Sequence, residues 1–147
     1  IIHQTGETDF AAIKTTYGFL PFEAEVFPFI DRIDEAYARA DLVVCRAGAG
    51  TVAELTVFGK AAILVPYPYA AYDHQRFNAE ALRDRGAAEV ILDAELSGER
   101  LAEMIRALYL DRRRLEAMGG AARELGRPEA AQRIVDECYA LVQGRRQ

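Results

Sequence analysis

Charged and apolar residues alternate over 23–27 (Glu-Ala-Glu-Val-Phe), the period of a half-buried strand. Two short unbroken apolar runs, 42–45 (Leu-Val-Val-Cys) and 61–65 (Ala-Ala-Ile-Leu-Val), read as central strands of a parallel sheet. Residues 1–4 read as the end of another strand and 88–92 as the last one. Helical spacing fills the intervals. It is expected at 9–16, at 31–40 with Asp31 as cap and Ile33, Ala36 and Tyr37 on one face, at 51–58 stopped by Gly59, and at 73–84 capped by Asp73 and stopped by Gly86. Beyond 97 the pattern is helical throughout. Leu101, Met104, Ile105 and Leu108 share a face, and Leu115 and Met118 mark a second helix expected to break near Gly119-Gly120. Pro128 opens a third, with Ile134, Val135, Cys138, Leu141 and Val142 expected to face inward, and the chain is expected to fray from Gly144. Strands alternating with helices predict an α/β fold, a Rossmann-like parallel sheet with helices on both faces. The expected organisation is one domain over 1–147, with an α/β core at 1–96 and helices at 97–147. Because the chain opens on Ile1-Ile2, inside an apolar run and without Met, its first strand is expected to lie upstream.

Composition narrows the possibilities. Of 147 residues, 51% are hydrophobic and 28% charged, enough for a packed core. The net charge of −5 argues against a nucleic-acid partner held through its phosphates. Cys45 and Cys138 are too few for a disulfide framework or a Cys-rich zinc site, and they suit a reducing compartment. His3 and His74 have no ligand-like spacing, so no metal and no cofactor are expected. No apolar run approaches the roughly 20 residues of a membrane span.

Ligands of open parallel sheets bind at the carboxyl ends of the strands. Four loops are expected there: 3–6 (His-Gln-Thr-Gly), 29–31, 46–54 and 67–78. The strongest is 42–54, a strand, a turn with Gly48 and Gly50, and a helix start. Small residues let a backbone approach a phosphate, and helix-start N–H groups favour an anion. The same residues also read as a tight turn with Thr51-x-x-Glu54 as a capping box, at even odds. A carboxylate beside a diphosphate is repelled, so a ligand-facing Glu54 should hold neutral donors such as ribose hydroxyls. Gly48-x-Gly50-x-x-Ala53 also matches a dinucleotide fingerprint, but the acid that fingerprint needs about 20 positions on is missing, which demotes a nicotinamide cofactor. Gln75 and Asn78, three apart, can read sugar hydroxyls or form a solvated helix face, and spacing alone favours the face. Arg46 can pair a phosphate or bond loop carbonyls. His74 reads as solvent-exposed or loop-bonded, 112–114 (Arg-Arg-Arg) as a solvated helix start, and Tyr67, Tyr69 and Tyr72 as loop packing.

Taken together, 3–6, 29–31, 40–48, Thr51-Val-Ala-Glu54, 59–66 and 75–79 resemble the C-terminal domain of the MurG family, in order and nearly in spacing, from Ile1 to about Leu96. That family adds N-acetylglucosamine to lipid I to make lipid II. The resemblance implies the C-terminal half of a GT-B glycosyltransferase, binding UDP-N-acetylglucosamine and reaching lipid I through an N-terminal domain. It implies the backbone of Ile30 at the uracil, Ala49, Gly50 and Thr51 at the diphosphate, Glu54 on the ribose hydroxyls, and Gln75 at the sugar with Asn78 nearby. The loop of Gln4, Thr5 and Gly6 and the residue Arg46 complete the expected substrate-binding set. Ala47 and Gly50 depart from the family, which often has Ser and a larger residue there. No catalytic residue is expected in this stretch, since the base lies in the other domain, and the 147 residues alone are expected not to turn over. The implied location is the bacterial cytoplasm, peripheral on the inner membrane. The alternatives are a nucleotide-sugar-binding subunit that needs a separate acceptor subunit, and an NAD(P)-binding oxidoreductase fragment.

Overall fold

The computed structural model describes residues 1–144, so the expected fraying beyond Gly144 lies outside the described residues. The chain divides into two compact units, residues 1–40 and a second beginning at Asp41.

In the first unit, β1 (Ile2–Gln4) and β2 (Glu25–Phe27) pair in parallel, Ile2 opposite Glu25 and Gln4 opposite Phe27. Helix α1 (Phe10–Tyr17) links them, and its Tyr17 hydroxyl lies 3.1 Å from His3 Nδ1. Helix α2 (Ile33–Arg39) buries Tyr37. Asp31 does not cap α2. Arg32 occupies the N-cap position with no side-chain cap bond, and its guanidinium instead pairs with Asp34 and Glu35. Those first-turn acids meet the helix dipole in place of a cap. At the other end, Arg39 pairs with Glu25 of β2 and holds that carboxyl below its usual range.

In the second unit, β3 (Leu42–Cys45), β4 (Ala61–Leu64) and β5 (Ala88–Val90) form a parallel sheet in that order, with Leu42 opposite Ala61 and Ala62 opposite Ala88. Central strand β4 is buried at every residue. Ala61, Ile63 and Val65 pack with Ile91, Leu108, Leu115 and Met118. Ala62 and Leu64 point the other way by strand alternation and are equally buried. A strand covered on both faces needs no polar positions, hence the unbroken run. Among the described residues, five α-helices complete the unit: α3 (Ala49–Phe58), α4 (His74–Asp84), α5 (Gly98–Leu110), α6 (Arg112–Leu125) and α7 (Ala130–Gly144). Burial pushes the Cys45 thiol up to about 11.

Two expectations for the tail are corrected. Helix α6 runs unbroken through Gly119-Gly120. A Cβ on Gly119 would lie 2.9 Å from the carbonyl oxygen of Gly59, so this glycine allows close packing and does not end the helix. On α7, the stripe expected to face inward is exposed: Ile134 is 64% and Leu141 68% accessible, and Val135, Cys138 and Val142 are also exposed. Periodicity identifies an apolar face but not what covers it.

Candidate functional site

The turn after β3 begins at Arg46 and ends as α3 starts at Ala49, two residues earlier than expected. Gly48 is the N-cap, in extended conformation, with no side-chain cap bond. Thr51 is therefore the third helical residue and Glu54 the sixth, which rules out the capping box, since that motif needs the hydroxyl at the N-cap itself. Glu54 lies exposed, one and a half turns into α3. The first intrahelical bond is Val52 N–H to Gly48 C=O, 2.9 Å, so the N–H groups of Ala49, Gly50 and Thr51 precede the bonded ladder. Nothing lies within 4 Å of where a Cβ on Gly50 would be, and neither Gly48 nor Gly50 has positive φ. The turn does not require these glycines conformationally, so what Gly50 leaves is open space above a helix start.

Three side chains hold this turn from behind. Gln75 Oε1 accepts from Ala47 N–H at 3.2 Å and from Tyr67 N–H at 3.0 Å. Asn78 Nδ2 donates to the Ala47 carbonyl at 3.0 Å. Arg46 Nη1 donates to the carbonyls of Val65 and Pro66, both at 3.2 Å, and to Asp93 Oδ1 at 2.6 Å, while its guanidinium lies 5.6 Å from the Tyr67 ring centre. The structure thus gives Arg46 the loop-carbonyl role. Gln75 and Asn78 bond the turn, so they do not form the solvated face that spacing favoured. Asp93 escaped the sequence reading: it is 47 residues from Arg46, and no local pattern links the two.

The loop ahead of α4 carries two left-handed non-glycine residues in succession, Tyr72 (φ 53°) and Asp73 (φ 56°). Asp73 sits at the N-cap position but makes no side-chain cap bond, because its left-handed backbone aims the carboxylate elsewhere; Oδ2 lies 3.7 Å from Arg76. His74 Nδ1 bonds within the loop to the Ala71 carbonyl, 2.7 Å, as expected. Tyr67 and Tyr69 pack edge to face, whereas Tyr72 is 98% exposed, so loop packing does not describe it. In the arginine run, Arg114 pairs with Glu89 and Arg112 with Asp41.

In the first unit, the loops after β1 and β2 are joined. Thr5 N–H bonds Phe27 C=O at 2.9 Å and Gly6 N–H bonds Pro28 C=O at 3.1 Å. Gly6 takes φ +77°, where a side chain would be strained. Ile30 N–H donates to Gln4 Oε1 at 2.9 Å. Among the described residues no group of three His, Cys, Asp or Glu could hold a metal ion, and no helix is long and apolar enough to cross a membrane.

A parallel α/β sheet with an open helix start after one strand and a polar loop after the next is the architecture of the C-terminal half of a GT-B glycosyltransferase. The chain belongs to the glycosyltransferase family 28 C-terminal domains, whose profile matches residues 1–134. It is 52% identical over 141 residues to the UDP-N-acetylglucosamine–N-acetylmuramyl-(pentapeptide) pyrophosphoryl-undecaprenol N-acetylglucosamine transferase of Myxococcus xanthus, covering 96% of this chain and 37% of that protein. The protein of the same name from Geobacter sulfurreducens is 55% identical over 140 residues, with 95% and 38% covered. Acinetobacter baumannii MurG superposes with a TM-score of 0.84 at 39% identity, over 92% of this chain and 41% of that one. VinC, solved with dTDP, shares the fold at a TM-score of 0.69 and 20% identity. The chain spans less than half the length of these relatives.

Proposed function

We propose that this chain is the donor-binding half of an inverting N-acetylglucosaminyltransferase. It takes UDP-N-acetylglucosamine and, with the remainder of the protein, passes the sugar to lipid I to give lipid II in peptidoglycan synthesis. The observation that carries this reading is the 52–55% identity over nearly the whole chain to proteins named for that reaction. The acceptor hydroxyl attacks the anomeric carbon in line and UDP departs. The N–H groups of Ala49, Gly50 and Thr51 meet the diphosphate, where the dipole of α3 stabilises the charge that develops on leaving. Glu54, exposed beyond the first turn, accepts the ribose hydroxyls. The backbone of Ile30 meets the uracil, using its carbonyl or taking its amide back from Gln4, with Thr5 and Gly6 in the same loop. Gln75 contacts the sugar with Asn78 beside it, and Arg46 supports the turn. The work takes place at the cytoplasmic face of a bacterial inner membrane, to which the protein binds peripherally.

Calorimetry tests this with UDP, 2′,3′-dideoxy-UDP and NAD. UDP binds and NAD does not. Glu54→Gln weakens UDP by about 1.5–3 kcal/mol, the range for hydrogen bonds to a charged group, and leaves dideoxy-UDP unchanged. Equal affinity of wild type and Glu54→Gln for UDP overturns the ribose role, and binding of NAD but not UDP overturns the donor reading.

A further inference from the structure

We propose that Gln75 and Asn78 are positioning residues for the turn that takes the diphosphate, and that only the outward half of each amide is left for the sugar. This deepens the donor reading and rests on it.

Both residues bond the backbone of the same residue, Ala47, which is wholly buried. Gln75 receives its N–H and Asn78 donates to its C=O, so the peptide groups on either side of Ala47 are each pinned. Gln75 also receives Tyr67 N–H, which ties the turn after β3 to the loop after β4. The partners fix which way each amide faces. Two backbone N–H groups converge on one end of Gln75, and only an oxygen can accept both. A carbonyl faces Asn78, and only the NH₂ can donate to it. Gln75 therefore turns its Nε2 donors away from the turn, and Asn78 turns its Oδ1 acceptor away. One turn of α4 then presents a donor next to an acceptor, the complement of two neighbouring hydroxyls on a pyranose ring, one accepting and one donating.

The turn matters because Gly48 and Gly50 do not hold it. Neither has a restricted backbone, and no cap side chain closes α3. Without the two amides, Arg46 would still tie the start of the turn to the loop after β4, but nothing would fix Ala47 and the approach to Ala49–Thr51. Tyr72 and Asp73, both left-handed, set where α4 begins and so where Gln75 and Asn78 stand.

The test uses amide hydrogen exchange and calorimetry on four variants of the whole chain. In exchange, Asn78→Ala and Gln75→Ala speed the amides of Ala47 and of Val52, the first bonded N–H of α3, by tenfold or more, without ligand. Gln75→Glu keeps the accepting oxygens and restores protection. In calorimetry, Asn78→Ala weakens UDP about tenfold but leaves uridine unchanged, because uridine lacks the diphosphate. With Gln75→Glu, exchange stays slow while the gain of UDP-N-acetylglucosamine over UDP is lost. Asn78→Asp, which turns a carboxylate on the Ala47 carbonyl, loosens the turn as Asn78→Ala does. Unchanged exchange at Ala47 in both alanine variants overturns the proposal. So does an equal loss of uridine and UDP, or an Asn78→Ala variant that loses only the sugar's contribution. A wild type that binds no UDP removes the donor reading and the positioning role with it, and the ligand-free exchange data tell that failure apart from the absence of the latch.

Discussion

Gly119 and Gly120 are neighbours in the middle of α6, and replacing each by Ala separates packing from helix propensity. At Gly120 a Cβ meets nothing within 4 Å. Ala there gains about 1 kcal/mol of helix propensity with no opposing contact. At Gly119 the same gain is set against a Cβ 2.9 Å from the Gly59 carbonyl oxygen and 3.9 Å from Ala61 N. Both are backbone atoms. Gly59 is the left-handed end of α3, and Ala61 opens the buried strand β4, so neither can retreat without moving the core. Overpacking of this kind costs about 1–3 kcal/mol. Propensity cancels between the two variants because they share a helix. Gly120→Ala should therefore be more stable than Gly119→Ala by about 1–3 kcal/mol, which at roughly 2–4 °C per kcal/mol for a chain of this length is a gap of about 2–12 °C in Tm. Thermal and urea unfolding of the pair measure it. If Gly119→Ala proves as stable as Gly120→Ala, α6 does not rest on the Gly59 carbonyl and the account of the unbroken helix is wrong.

Two caps should carry measurable stability. Ser97 Oγ accepts from Arg100 N–H and Asp111 Oδ1 from Arg114 N–H, each at the start of a helix, so Ser97→Ala and Asp111→Ala should each cost about 1 kcal/mol in urea unfolding. The raised Cys45 thiol gives a pH dependence. In the unfolded chain the thiol ionises near 9.0, and in the folded protein only near 11. Its contribution is therefore complete below pH 9 and is lost as pH rises toward 11, because the unfolded state releases the proton first. Cys45→Ala should flatten the alkaline fall in stability over that window, and an unchanged slope would refute the burial of the thiol. At pH 8 a thiol-alkylating reagent should modify exposed Cys138 and spare Cys45, as mass spectrometry of peptides would show.

The strands were legible in the sequence wherever burial leaves a local mark. The run at 61–65 is apolar at every position because β4 is covered on both faces, and no other environment tolerates that pattern so simply. The candidate turn was legible for the same reason, as small residues between an apolar run and a helical one. What failed was whatever depended on a distant partner. Gly119 looks like a breaker until the Gly59 carbonyl is placed against it. Thr51 and Glu54 have the spacing of a capping box but the helix begins at Ala49, so the spacing falls on the wrong positions. Gln75 and Asn78 were correctly paired by their spacing, yet their shared target, Ala47, lies about 30 residues earlier. The stripe on α7 has the periodicity of a core helix and stands exposed.

Helix α3 is anchored very differently at its two ends. Its N-terminus opens above Gly50, while at its C-terminus Arg123 of α6 donates to the Phe58 carbonyl at 3.1 Å and Gly59 closes the last turn. Helix α3 also packs along α6, and elements packed together in this way open as one cooperative unit. Free energy supplied at the open end is therefore felt at the closed one. A ligand at the Ala49–Thr51 amides, at a hundred times its Kd, would raise the cost of the shared opening by about 2.7 kcal/mol. Slowed exchange should then appear in α6 around Gly119 and Arg123, at the far end of α3 from the open helix start, with no change in their coordinates.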